Sequence, residues 1–139
     1  IFWIFRDNEI VPMEIKFQSK GIKAAGGLHW LFLLENGDVY SMGFGLFGQL
    51  GRNSLQKDHD KPYIIPLNFK ASNIFAGVHL SCILDPDGNM YMFGRIQDEK
   101  TRKYIAQRSP KIIWNIQSNN VFISESDDIV LIPKKLEDL

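Results

Sequence analysis

The chain can be laid over itself. A shift of 50 residues puts Pro12 on Pro62, Ile15 on Ile65, Gly27 on Gly77 and His29 on His79 without a gap. A further shift of 48 puts Pro62 on Pro110 and brings Ile83-Leu84 near Leu131-Ile132. A period of this length marks a structural unit that cannot bury its apolar face alone and must stack on copies of itself.

The clearest copy shows what the unit is. Leu31-Phe32-Leu33-Leu34 is a short continuous apolar run, the kind buried on both faces. Asn36-Gly37 follows, then Val39-Tyr40-Ser41-Met42, closed by Gly43. Asn-Gly suits the two positive-φ positions of a type I′ turn, so the two runs read as a β-hairpin. Cys82-Ile83-Leu84, Asp85-Pro86-Asp87-Gly88 and Met90-Tyr91-Met92-Phe93-Gly94 repeat that grammar, with one residue more assigned to the turn. In a third copy Val121-Phe122-Ile123 and Ile129-Val130-Leu131-Ile132 remain, while Glu125 and Asp127 stand where Gly27 and His29 stood. At the start, Phe2-Trp3-Ile4-Phe5 is matched to Tyr91-Met92-Phe93-Gly94. Each copy also has an extended piece near a proline: Met13-Glu14-Ile15, Tyr63-Ile64-Ile65 and Lys111-Ile112-Ile113. No stretch carries a capped apolar stripe of helical period. The chain reads as all-β, in units of about 1–34, 39–84 and 90–132 with a tail over 133–139, forming a single segment 1–139.

Bulk composition excludes several classes. With 16 basic and 16 acidic side chains the charge cancels, which gives nucleic acid and anionic membranes little support as partners. The basic cluster Lys100, Arg102, Lys103, Arg108 and Lys111 follows Asp98 and Glu99, and reads as a solvated loop replacing a longer segment over Gln97 to Gln107. A single cysteine, Cys82, rules out an internal disulfide and suits a reducing compartment. No apolar run approaches the ~18 residues that span a bilayer, so membrane insertion is not expected. Ile1, in place of methionine and inside a strand-like run, is taken as a cut from a longer chain.

Ala25-Gly26-Gly27-Leu28-His29, then Leu33, Asn36-Gly37-Asp38-Val39-Tyr40-Ser41-Met42-Gly43, then Phe47-Gly48-Gln49-Leu50-Gly51 resembles the repeat of the regulator of chromosome condensation family. The likeness is specific from Ala25 to Gly51, good again from Ala76 to Gly94, weak over 1–20 and 110–139, and absent from Pro133. It implies a β-propeller with one four-stranded blade per repeat, in a ring of about seven blades, so that three repeats make an open arc. The remaining blades then come from the parent chain or from a second subunit. It also assigns structural roles to Gly26, Gly27, His29, Gly37, Gly43, Gly48, Leu50, Gly51, Gly77, His79, Gly88 and Gly94. Gly26, Gly27 and Gly77 are expected to let strands approach a crowded shaft, and Leu31, Leu33, Val39, Tyr40, Ile83 and Leu84 to fill the core between blades.

Sites of chemistry are scarce. Gly43-Phe44-Gly45-Leu46-Phe47-Gly48 spells G-x-G-x-x-G after a strand, but a dinucleotide site needs a helix opening there, and Gly51 follows too soon. His29 and His79, at equal places in successive copies, are expected on neighbouring blades and not on one ion. Asp58-His59-Asp60 has no second His or Cys at ligand spacing. Cys82 and His79 are three apart, an odd spacing that separates them across a strand. Asp85, Asp87, Glu35 and Asp38 fall in hairpin turns, where turn bonding accounts for them. No catalysis, metal or cofactor is expected. Phe44 and Leu46 stand where the resembling repeats are commonly polar, and are the candidate partner-binding residues.

The expected function is that of a non-catalytic, intracellular scaffold, nuclear or cytoplasmic, gripping a protein partner through rigid loops. The resemblance implies two narrower alternatives: a guanine-nucleotide exchange regulator of a small GTPase, and the substrate-recognition part of a ubiquitin ligase.

Overall fold

The structure is a computed structural model that describes residues 2–4, 13–26, 28–53, 61–98, 100–115, 119–123 and 129–133. Among them all regular elements are strands, and every pairing is antiparallel. β1 (Phe2–Ile4) pairs with β2 (Met13–Ile15). A four-stranded sheet follows in chain order: β3 (Gly21–Gly26), β4 (His29–Leu34), β5 (Val39–Gly43) and β6 (Tyr63–Ile64). A second has the same order: β7 (Asn73–Ala76), β8 (Leu80–Leu84), β9 (Asn89–Gln97) and β10 (Tyr104–Asn115). β11 (Asn119–Ile123) pairs with β12 (Ile129–Pro133). The first strands of the sheets, β3 and β7, lie side by side, and β11 approaches β7 in turn.

The cores lie between sheets. Side chains alternate across a strand, so β4 sends Leu31 and Leu33 one way and Phe32 the other. Leu31, Leu33 and Val39 meet Ile74, Ile83 and Phe93 of the next sheet, with Ile65 between them. Phe32 and Met42 meet Ile15, Phe2 and Phe17 on the side of β1 and β2. On the far face of the second sheet Leu80, Cys82, Leu84, Met90 and Met92 form a third cluster. The six residues expected to share one core are therefore divided. Leu31, Leu33, Val39 and Ile83 fill the middle cluster, Leu84 the last, and Tyr40 packs against the first.

Hydrogen-bond register corrects the repeat by one residue. His29 pairs with Gly43, and Leu80 pairs with Gly94. Phe44 N–H donates to Leu28 O, and Arg95 N–H donates to His79 O. His79 therefore occupies the place of Leu28, in the turn before β8, and Leu80 occupies the place of His29. The extra residue lies between Ala76 and Leu80, not in the following hairpin. The start shifts as well: Phe2 faces the next sheet as Val39 and Met90 do, so its match to Tyr91 is one residue out.

The two hairpins have one geometry. Gly37 N–H donates to Leu34 O and Leu34 N–H to Asp38 O; Gly88 and Asp85 do the same with Asp85 and Asn89. Only the glycines, at φ 85° and 83°, are left-handed. This is a type I turn with a following glycine bulge, not the type I′ turn expected from Asn-Gly. Asp85 fixes its copy with a carboxylate that accepts from Asp87 N, Asn89 N and Asn89 Nδ2 at 2.8–2.9 Å. At Gly26 a Cβ would strike His29 O and the Trp30 indole, within its own hairpin, so the tight turn into β4 requires that glycine and the shaft does not.

The segment Gln97 to Gln107 is not a loop. β9 runs on past Gly94, and Tyr104 to Gln107 pair with Gln97 to Gly94. The outer hairpin thus extends roughly 10 Å beyond the point where β5 leaves its sheet.

Gly51 meets the next sheet most closely. It has φ 67°, and a Cβ there would lie 2.7 Å from the Phe93 ring. Gly51→Val should destabilise the chain by about 3 kcal/mol through backbone strain and overpacking. Urea unfolding followed by tryptophan fluorescence checks this, and an unshifted midpoint would contradict the packing.

Candidate partner-binding rim

The loop after β5 crosses from its own sheet to the next. Ser41 Oγ donates to Leu50 O at 2.7 Å on one side, and Ser81 Oγ donates to Gln49 O at 2.8 Å on the other. Leu50 is buried, and Asn53 N–H donates to Arg108 O of β10 at 2.9 Å. Gly48 sits against the backbone of Gln107 and Arg108, where a Cβ would come within 2.6 Å of Gln107 O. The loop is a clasp between blades, which accounts for Gly48, Leu50 and Gly51; Gly43, at φ 105°, is required instead by its approach to Leu28 O and His29 of its own sheet.

His29 belongs to the clasp. Its Nε2 lies 2.7 Å from Ser81 Oγ. Ser81 has one proton, and Gln49 O can only accept it, so His29 Nε2 carries the hydrogen donated to Ser81. Nδ1 is then the bare nitrogen. It is buried without a hydrogen-bond partner among the described residues, as is Gln49 Nε2. Burial lowers the His29 pKa from 6.5 to about 4, with the His79 imidazole lowering it further and the backbone of Val78 and Leu80 opposing.

His79 does something else. Its ring lies 4.8 Å from Phe47 and 6.1 Å from Phe44, and the two phenylalanines are 6.3 Å apart. Arg95 stands over Tyr104 at 3.9 Å and near Phe47 at 5.8 Å. The rim is thus a continuous run from Phe44 and Phe47 through Arg95 to the extended hairpin. Of the two candidate contact residues, Phe44 is half-buried in this cluster, while Leu46 is 61% exposed. Composition had not singled out Tyr104, which is 58% exposed, or Ile105, which is 42% exposed. They stand side by side after Lys103, so no alternation of apolar and polar residues announced them.

Among the described residues no three His, Cys, Asp or Glu side chains group as metal ligands, and no helix is long and apolar enough to cross a membrane. Gly27, Glu125, Asp127 and Asp58-His59-Asp60 lie outside the described residues. Gly77 is buried in the turn before β8. Cys82 is buried in the last cluster, and desolvation pushes its thiol up to about 12, far from thiolate reactivity. The residues after Gly48 continue as turns, so G-x-G-x-x-G opens no helix.

Four-stranded sheets stacked face to face, with a clasp between them, define a β-propeller repeat protein arranged as an open arc. The pattern described as "Regulator of chromosome condensation (RCC1) repeat" matches residues 36–84. The Regulator of chromosome condensation of Drosophila melanogaster is 40% identical over 77 residues, covering 54% of this chain and 14% of that protein. The E3 ubiquitin-protein ligase MYCBP2 of Danio rerio is 32% identical over 86 residues, covering 60% of this chain and 2% of that protein. Yeast RCC1 (Prp20), solved bound to Kap60, superposes with a TM-score of 0.58 at 26% identity, over 73% of this chain and 26% of that one. Human WBSCR16 superposes with a TM-score of 0.67 at 20% identity, over 85% and 33%, and shares the fold. The chain belongs to the regulator of chromosome condensation repeat family. It spans a small part of the curated relatives it matches.

The clasp histidine makes stability depend on pH. The folded chain binds the His29 proton more weakly than the unfolded chain does. Its contribution is thus intact above the unfolded value of 6.5 and lost as pH falls toward about 4. From about pH 7 to pH 4 the chain should lose about 3 kcal/mol more unfolding free energy than His29→Gln. Urea midpoints at several pH values check it; parallel curves would show that the imidazole is not desolvated.

Proposed function

We propose that this chain is a scaffold that holds a protein partner at the rim formed by the clasp loop and the extended hairpin, without bond chemistry of its own. The observation that carries this is Leu46. A large apolar side chain is 61% exposed on a loop whose neighbours are pinned by Ser41, Ser81 and Arg108. An apolar group held rigidly in water contributes to binding with little ordering cost. The nearby exposed Tyr104 widens the apolar surface. The solved yeast relative bound to Kap60 supports a protein as the ligand class. The lone buried thiol and the relatives' names support a place inside the cell, nuclear or cytoplasmic.

A second reading, exchange regulation of a small GTPase, has the family in its favour and works through tighter binding of the nucleotide-free partner. Fluorescent-nucleotide release from a panel of GTPases tests it, and absence of acceleration removes it. The ubiquitin-ligase relative supports the narrower form in which the partner is a ligase substrate.

A photo-crosslinking amino acid at position 46 should capture a defined protein from cell extract, and the same group at the exposed Ile22 should not. Leu46→Asp should keep the unfolding free energy within about 0.5 kcal/mol of the parent, as expected of a surface change, while abolishing the capture. Equal capture from both positions would refute the rim as the contact surface.

A further inference from the structure

Resting on the reading of the rim as a protein contact, we propose that its partner binds as an extended acidic strand, added to the free edge of β10 from Tyr104 to Ala106. β10 is the last strand of its sheet, and among the described residues no strand pairs with its other edge. An edge strand offers unpaired N–H and C=O groups that another backbone can satisfy. The clasp loop bounds this edge at one end, where Asn53 N–H meets Arg108 O and Gly48 meets Gln107. The hairpin tip bounds it at the other.

The tip is tied down. Asp98 Oδ1 accepts from Lys100 N at 2.8 Å and Thr101 N at 3.1 Å, and Asp98 N–H donates to Lys103 O. Arg102 N–H donates to Asp98 O, and Gln97 Nε2 donates to Arg102 O at 3.0 Å. The aspartate carboxylate is spent inside the turn. The cations Arg95, Lys100, Arg102, Lys103, Arg108 and Lys111 are all exposed. In a chain whose total charges cancel, this arm is a concentrated positive site.

Register specifies the strand further. Ile96 and Ile105 pair directly and share one face, where Ile96 packs on the last core and Ile105 stays 42% exposed. Arg95 and Tyr104 share the other face, the guanidinium 3.9 Å from the ring centre. A strand laid beside β10 would therefore put alternate residues beside Ile105 and beside Arg95 and Tyr104. The fitting sequence alternates aliphatic and acidic residues. A second copy of this chain does not fit, because two such arms would oppose like charges. Nucleic acid fits less well, since a phosphate chain can satisfy the cations and the N–H groups but repels the outward carbonyls.

The probe is a fluorescein-labelled heptapeptide, Glu-Val-Glu-Val-Glu-Val-Glu, read by anisotropy with the full chain. Saturable binding is expected. N-methylation of alternate backbone nitrogens should weaken it about tenfold or more, as the loss of two interstrand hydrogen bonds requires. Arg95→Glu, with an unchanged melting curve, should weaken it by about tenfold, and a seven-nucleotide single strand of DNA should bind at least about tenfold more weakly than the peptide. No saturable binding, equal binding of the methylated peptide, or equal binding of the DNA would each overturn strand addition. Capture from position 46 reads a partner on the rim without reference to this edge, so failure here and failure of the rim are separate results.

Discussion

Both four-stranded sheets bury apolar side chains on both faces, and that constraint decides the architecture. Phe32 and Leu31 are adjacent in β4, both fully buried, and they enter different cores. Burying either side chain is worth about 1.5–3 kcal/mol, and neither contribution exists until a neighbouring sheet arrives. A single blade is therefore not a stable object, and stacking is the only way to satisfy its sequence. The three sequence units add a covalent version of the same link. Each holds the outer pair of one sheet and the inner pair of the next, so the chain passes between blades within a unit.

Much of this was legible in the residues. The continuous apolar runs at 31–34 and 82–84, each followed by a turn glycine and a second strand, located the central hairpins of both full sheets. Facing was not legible, because a one-residue slip reverses every side chain of a strand. Matching His29 to His79 hid an inserted residue between Ala76 and Leu80, and only the pairing of Leu80 with Gly94 exposes it. The turn type failed for a related reason. Asn-Gly can form a two-residue turn, but here Leu34 closes on Gly37 and Asp38, so Glu35 and Asn36 take the central positions and Gly37 becomes the bulge. The segment 97–107 looked like a loop because its charges mask a period of two. The pairing of Tyr104 to Gln107 with Gln97 to Gly94 is what reveals the strands.

The displaced histidine has consequences for the site. His29, in β4, faces the next blade and reaches Ser81. Had His79 occupied the matching place in β8, it would face the last core, where Leu80 stands instead among Cys82, Leu84 and Met92. Moved one residue back, the imidazole lies among Phe44 and Phe47 on the rim. The second full sheet therefore has neither the clasp histidine nor the Gly-Gln-Leu-Gly loop that the histidine supports in the first. The extended hairpin occupies the chain positions of that loop. A strand that would have turned away to fasten the next blade continues outward.

An outward strand with a bare edge is a hazard, and exposed lysine and arginine are a standard guard against self-pairing. Guarding alone does not account for the whole arm. A protective edge gains nothing from Ile105 and Tyr104 held in solvent, or from a tip whose one described carboxylate is drawn into hydrogen bonds within the turn. Nor does it need the anchoring of its base to Phe47 and Asn53. Rigidity costs conformational entropy, apolar exposure opposes solubility and unbalanced charge repels itself, and all three coincide on a few residues. A charged edge excludes copies of itself and admits an oppositely charged strand by the same Coulomb energy, so protection and recognition here are one property seen by two partners.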